Sequence, residues 1–228
     1  MKTQFVPLND AAHKNLTVND KVDYSYFETV HMLPLFVQEF VTAATSFPII
    51  FTKNAQTGEF IAVALTALKP NTNKLLKEGK WQSRYLPMQV QLYPFGMSNV
   101  SEDRIILGID INNAAVNEDG PNRLFNEDGD KTDYLNKRLE LASAQAKYRD
   151  VSHFFIKTLV EKELLQPRTL TVTALNGAKT NIDGIYTVDE QKLAQLDEAT
   201  MLDFAKRGFY GPIYAHLCSL SMMDVVID

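Results

Sequence analysis

The chain has 228 residues, of which 45% are apolar and 22% are charged, as in an ordinary globular protein of one large domain or two small ones. A formal charge of −5 without any run of basic residues excludes a nucleic-acid footprint, and one cysteine excludes an internal disulfide framework. Residues 1–10 have no apolar core of a signal peptide, and the apolar stretch 32–51 is interrupted by polar residues and prolines. We therefore expect a cytoplasmic protein without a membrane span.

The N-terminal half begins with a polar segment and continues into a buried strand pair. Residues 1–30 show no hydrophobic period and predict a loosely docked leader, which leaves 31–228 as one domain. Apolar residues at helical spacing predict a helix over Val37–Ala44. Two apolar runs separated by a turn, Ile49–Thr52 and Phe60–Leu68, predict strands, the second of them buried on both faces.

The middle of the chain predicts a strand followed by a pair of helices. Arg104–Ile111 is the strand, and an acidic loop with a repeated Asn-Glu-Asp-Gly tetrapeptide follows it. Leucines and alanines at helical spacing predict a helix over Asp133–Tyr148. A second helix, over Val151–Leu165, is predicted to place Phe155, Leu159 and Val160 inward. A shorter helix within 84–92 is also expected.

The C-terminal third carries turn and cap signals. Asn176-Gly177 separates two strand-like runs and predicts a β-hairpin, because both central residues of that turn need a positive φ. Asp197 and Gly208 are placed as the N-cap and the C-terminal glycine of one helix, and Pro212 in the first turn opens another. The pattern predicts an α+β fold with a mixed or antiparallel sheet, packed by the central helical pair and the C-terminal helix.

The sequence lacks the common catalytic and metal-binding motifs. No glycine-rich phosphate loop, G-x-S-x-G elbow or H-E-x-x-H is present, and no two of the four histidines have ligand spacing. The acidic loop fails as an EF-hand, since neither tetrapeptide glycine places acidic ligands at both ends of a twelve-residue loop. Turn formation explains the tetrapeptides, and we expect neither a metal nor a cofactor.

An aromatic segment is the strongest functional feature. Trp81, Tyr85, Tyr93 and Phe95 accompany Arg84 in a stretch without a regular period. Tyrosine and tryptophan combine a large apolar body with a polar tip, which is typical of recognition surfaces. The segment predicts an outward-facing binding surface, with burial against the strand pair as the alternative.

The chain, including this aromatic segment, resembles the SapC family of bacterial proteins. The matching residues run in the family's order from about residue 30 to the C-terminus: Glu39-Phe40, Phe47–Lys53, Gly79–Trp81, Tyr85–Pro87, Tyr93–Phe95, Asp110, Leu124-Phe125, Asp128-Gly129, Gly184–Tyr186, Asp189-Glu190 and Ile213–Leu220. The chain differs from the family pattern at one place, directly before Tyr93–Phe95. The family commonly has two arginines there, whereas this chain has Gln91-Leu92.

The resemblance implies an accessory protein. Family members generally lack export signals, and many are encoded beside flavin-dependent tryptophan-halogenase-like proteins, cupin-like proteins and TonB-dependent receptors. It therefore implies a helper in peptide or protein modification or in nutrient uptake, with a peptide, a protein or a flavin-dependent halogenase-like enzyme as partner.

Three hypotheses follow. The first is a non-catalytic protein that binds a peptide or partner protein, with these candidate binding residues: Lys53, Trp81, Arg84, Tyr85, Tyr93, Phe95, Asp110 and His216. The second is a small enzyme whose polar groups converge in the fold: Lys53, Arg84, Asp110, Asp128 and His216. The third is a surface-layer-associated component.

Overall fold

The computed structural model describes residues 4–101, 104–173 and 179–227, which divide into two compact units. Unit 1 is formed by the described residues of Met1–Tyr26 and Met88–Lys147, and unit 2 by those of Phe27–Pro87 and Tyr148–Asp228. Helices occur together with antiparallel sheets in the described residues, so the predicted α+β class is confirmed.

Unit 1 contains short strands, two short helices and the first half of a long helix. In chain order these elements are β1 Phe5–Pro7, α1 Asp10–His13, β2 Thr17–Val18, α3 Met88–Leu92, β8 Phe95–Ser101, β9 Arg104–Asp110, β10 Val116–Asn117, β11 Asn122–Arg123 and the start of α4 Asp133–Glu161.

The N-terminal residues take part in both sheets of unit 1. Strand β1 pairs antiparallel with β9, and β2 lies between β10 and β11. Val18 of β2 is fully buried in an apolar cluster with Phe95, Ile109 and Leu124. The segment expected to be a loosely docked leader therefore contributes strands and core to this unit.

Unit 2 is built on a larger antiparallel sheet. Its elements are β3 Met32–Pro34, a 3₁₀ turn Val37–Glu39, α2 Phe40–Ala43, β4 Ile49–Lys53, β5 Phe60–Leu65, β6 Leu76–Lys77, β7 Lys80–Trp81, the second half of α4, β12 Leu165–Thr173, β13 Lys179–Val188, α5 Glu190–Ala194, α6 Glu198–Arg207, α7 Tyr210–Ser219 and a 3₁₀ turn Leu220–Val225. The order of the main sheet is β12-β13-β4-β5-β3.

Strands β4 and β5 of the sheet are covered on both faces, as their continuous apolar character predicts. On one face Phe51 packs near Phe40 of α2, and Phe40 meets Phe155 of α4 edge to face at 6.2 Å. On the other face Ile50 and Val63 cluster with Val226. Successive residues of a strand point to opposite faces, so both sets are buried.

One detail differs from the sequence prediction, and one lies outside the described residues. The predicted pair of central helices is wrong, because Asp133–Glu161 is one continuous helix. Neither glycine nor proline occurs around Arg149-Asp150, so nothing there interrupts the backbone hydrogen bonds. The predicted Asn176-Gly177 turn lies outside the described residues, although β12 and β13, which flank it, pair antiparallel.

Candidate functional site

The predicted binding residues are divided between the two units. Tyr93, Phe95 and Asp110 belong to unit 1, whereas Lys53, Trp81, Arg84, Tyr85 and His216 belong to unit 2.

The three residues of unit 1 are buried, so the prediction that Tyr93 and Phe95 face outward is wrong. Tyr93 is 5% exposed, Phe95 2% and Asp110 1%. The Tyr93 hydroxyl donates to Asp110 Oδ2 at 2.8 Å, and Asp110 Oδ1 accepts the backbone N–H of Gln4 at 2.9 Å. Burial and the Asp110 carboxylate raise the pKa of Tyr93. The aromatic rings of Tyr93 and Phe95 therefore complete the core of unit 1.

The aromatic residues of unit 2 are half-buried, and their polar tips bind the protein itself. Trp81 Nε1–H lies 2.5 Å from Ser83 Oγ and 3.0 Å from the carbonyl oxygen of Tyr85. The Tyr85 hydroxyl donates to Oε1 of the buried Glu39 at 2.9 Å. Burial, followed by this carboxylate, raises the pKa of Tyr85. Arg84 between them is exposed.

His216 is fully buried, and protein groups occupy both of its ring nitrogens. Its Nδ1 lies 2.8 Å from the carbonyl oxygen of Ile49, and its Nε2 lies 3.1 Å from the backbone nitrogen of Val188. Because Nε2 accepts from an N–H, the neutral tautomer with hydrogen on Nδ1 satisfies both bonds. His216 thus connects α7 to two strands.

Lys53 alone of the eight predicted residues lines a cavity found in unit 2. This Lys53 cavity has a volume of about 480 Å³ and lies between the β4–β5 hairpin and the C-terminal half of α4. Its lining consists of Lys53, Gly58, Glu59, Phe60, His153, Ile156, Lys157, Val160 and Glu161.

Regular spacing explains why these residues meet. Lys53 and Phe60 are directly opposed in the antiparallel β4–β5 ladder, so their side chains lie on one face of the sheet. The turn between the strands is held by Asn54 Oδ1, which accepts the N–H of Gln56 at 2.8 Å. The α4 residues of the lining recur at three- and four-residue intervals, which places them on one helical face.

Phe60 of the hairpin and Tyr186 of β13 hold the Lys53 ammonium group at the edge of the cavity. Lys53 Nζ lies 5.2 Å from the centroid of the Phe60 ring and 5.9 Å from that of Tyr186. The two rings meet edge to face with centroids 4.8 Å apart. An ammonium at these distances is attracted by the ring faces.

The remaining charges of the cavity are partly paired. Lys157 Nζ lies 3.9 Å from Glu161 Oε1, one helical turn away, and both side chains are more than half exposed. Among the residues that the structure describes, no carboxylate pairs with Lys53. The site combines an apolar wall of Phe60, Ile156 and Val160 with a charged rim, a composition typical of ligand sites.

Comparison with protein-family models shows to which family the chain belongs. The SapC model matches residues 8–225 of the 228-residue chain. The chain belongs to the SapC family. No match was found among curated proteins, and none was found among solved structures.

Gln91 and Leu92, the two residues before Tyr93, have structural roles in this SapC chain. Leu92 is 2% exposed in the core of unit 1. The carbonyl oxygen of Gln91 accepts from Arg138 Nη1 at 3.1 Å, and the Arg138 guanidinium lies 5.0 Å from the Tyr134 ring centroid. Arg138 of α4 therefore contacts both the backbone at Gln91 and the Tyr134 ring.

The tetrapeptide loops of the SapC chain form turns, as the sequence predicts. Asn126 Oδ1 accepts the N–H of Asp128 at 3.0 Å and that of Asp130 at 2.8 Å, and Asn117 Oδ1 accepts the N–H of Asp119 at 3.0 Å. No cluster of three potential metal ligands occurs within the described ranges. Of the helices in those ranges, none has both the length and the apolar character needed to cross a membrane.

The cavity residues contributed by α4 are the part of the site that sequence reasoning missed. His153, Ile156 and Val160 are ordinary residue types on a helix. No sequence signal marks them, because the helical period assigns Val160 to the core and only the structure shows it to be 39% exposed.

Proposed function

We propose that this SapC chain is a non-catalytic accessory protein that binds a segment of a peptide or partner protein in the Lys53 cavity. The observation that supports this most directly is the cavity itself. Phe60, the buried Ile156 and Val160, which is 39% exposed, line a concave site beside an ammonium group without a carboxylate partner among the described residues.

Part of the predicted aromatic segment belongs to the proposal. Arg84 is exposed, and Trp81 and Tyr85 are half-buried, so all three can contact a partner as a second patch. Tyr93, Phe95, Asp110 and His216 are not included, because each is buried.

The alternative of a small enzyme has less support from the geometry. Protein hydrogen bonds occupy both ring nitrogens of His216 and both carboxylate oxygens of Asp110. A general acid or base needs access to a substrate proton. Binding is therefore the function that the described residues favour.

The resemblance noted above suggests where such a binder works. A helper in peptide or protein modification or in nutrient uptake would bring a peptide to an enzyme, and a flavin-dependent halogenase-like enzyme is the first partner to test.

Filling the cavity tests the proposal. Val160→Trp places a large ring in the cavity, whereas Val151→Trp makes the same change on the same helix at a residue that is 47% exposed and does not line the cavity. We expect partners that co-purify with the wild type and with V151W, identified by mass spectrometry, to be lost with V160W. Equal thermal midpoints of the two variants would show that both remain folded.

The proposal is wrong if V160W retains the same co-purifying proteins as V151W at equal expression.

A further inference from the structure

The Lys53 ammonium group has donor capacity that the described residues do not use. Ring faces attract the cation but accept no ordinary hydrogen bond from it, so its three N–H donors remain free for an acceptor. Phe60 and Tyr186 also fix where the group lies, which reduces the entropy that a ligand must remove on binding.

The rim around Lys53 favours an anion over a cation. The lining has two lysines and two glutamates. Lys157 and Glu161 pair with each other, and Glu59 is exposed and forms no ion pair with Lys53 among the described residues. The Phe60 and Tyr186 rings, which would otherwise attract a ligand cation, already carry Lys53. An incoming ammonium would lie beside a like charge, whereas a carboxylate would form a charge-assisted hydrogen bond.

We propose that the cavity binds the C-terminus of a peptide, with the terminal carboxylate on Lys53 and an apolar last side chain against Phe60, Ile156 and Val160. This inference rests on the proposed function and names its ligand. The volume of about 480 Å³ is that of a site for a small ligand or a chain end. A chain terminus supplies an apolar group and a carboxylate on the same residue, which matches the wall and the cation of the site.

Direct binding to a defined probe tests the ligand chemistry. The probe is a short fluorescein-labelled peptide of glycine and serine that ends in phenylalanine, prepared with a free carboxylate and with a carboxamide. We expect fluorescence anisotropy with the wild type to show about three- to fivefold tighter binding of the free acid, as an exposed ion pair allows. The difference should shrink as the salt concentration rises.

Variants assign that preference to Lys53. Lys53→Met keeps a straight apolar side chain and removes the charge, and it should abolish the preference for the acid. Lys77→Met removes the same charge from an exposed residue of β6 that does not line the cavity, and it should leave the preference unchanged.

The possible results test the C-terminal carboxylate ligand separately from the proposed function, which is partner binding in the Lys53 cavity. Equal affinity for acid and amide, or an acid preference that persists in K53M, would overturn the C-terminal carboxylate. Saturable binding of 3-phenylpropionate without binding of either peptide would replace the peptide with a small acid and also overturn it. In each case the comparison of V160W with V151W still decides separately whether the cavity binds a partner.

Discussion

His216 occupies the place where two strands of unit 2 separate. The β13–β4 ladder pairs Tyr186 with Phe51. In the same antiparallel register, Val188 lies opposite Ile49 two positions further along. The imidazole lies between those two residues and bonds to both, and Ser219 on the next turn of α7 accepts the N–H of Ile49 at 2.9 Å. The side chains of α7 thus replace backbone hydrogen bonds that the strands no longer make.

The buried imidazole makes stability depend on pH. Burial lowers the pKa of His216 from 6.5 to about 4. As the pH falls from about 6.5 to 4, the unfolded chain takes up a proton that the folded protein does not, so the free energy of unfolding decreases. The loss from this residue is at most about 3 kcal/mol. Urea unfolding measured between pH 7 and pH 4.5 should show the decrease, and His216→Gln should have a smaller slope.

A second measurement covers the case in which H216Q does not fold. The ¹⁵N spectrum of the wild-type imidazole at pH 6 should show the neutral tautomer with hydrogen on Nδ1. A charged His216 in the folded protein at that pH would contradict the prediction.

At the scale of elements, α6 shows how local sequence fixes a helix end. Asp197 Oδ1 accepts the N–H of Thr200 at 2.9 Å, and Gly208 ends the helix with a φ of 71°. Both positions were predicted from residue type. An added Cβ at Gly208 would meet nothing within 4 Å, so the glycine is required only by its left-handed backbone.

Two nearby glycines make this a controlled prediction. Gly208→Ala should lower the free energy of unfolding by about 1 kcal/mol, because a side chain disfavours the left-handed region. Gly211 also has open space around an added Cβ but no positive φ, and it lies in the first turn of α7. Gly211→Ala should therefore change the free energy of unfolding by less than about 0.5 kcal/mol, because the helical gain of alanine is offset by Pro212, which disfavours the helical region for the residue before it. Urea unfolding followed by circular dichroism measures both, and equal effects would contradict the assignment.

Elements were predictable where the cause is local, and the site was not. The apolar runs of β4 and β5 and the caps of α6 follow from neighbouring residues. The Lys53 cavity joins residues 53–60 to 153–161, about a hundred positions apart, and no local rule pairs them. The burial of Tyr93 could not be predicted from its neighbours either, because the partner of its hydroxyl, Asp110, lies at the end of β9. Residue type identifies aromatic side chains with polar groups, but only the fold shows which of those polar groups form hydrogen bonds within the protein.

At the scale of the whole molecule, each unit is assembled from two separate stretches of chain. Unit 1 joins residues up to Tyr26 with Met88–Lys147, and its sheets depend on that union. Strand β2 is the partner of both β10 and β11, and β1 pairs with β9. An N-terminal segment that contributes central pairing cannot be removed without exposing backbone groups of the other strands.

Deletion of residues 1–26 is therefore predicted to destabilise unit 1, whereas deletion of residues 1–3 leaves both strands in place and serves as the control. The longer deletion removes the fully buried Val18 and the strand pairs it belongs to. We expect a thermal midpoint lower by roughly 6 °C or more, because loss of one buried valine and its pairings amounts to about 2–3 kcal/mol. Amide hydrogen exchange should accelerate across Phe95–Asp110, where β8 and β9 lose the cover of β1. Unchanged exchange in that hairpin would mean that the N-terminal residues are a dispensable leader and that the pairings of β1 and β2 contribute little to stability.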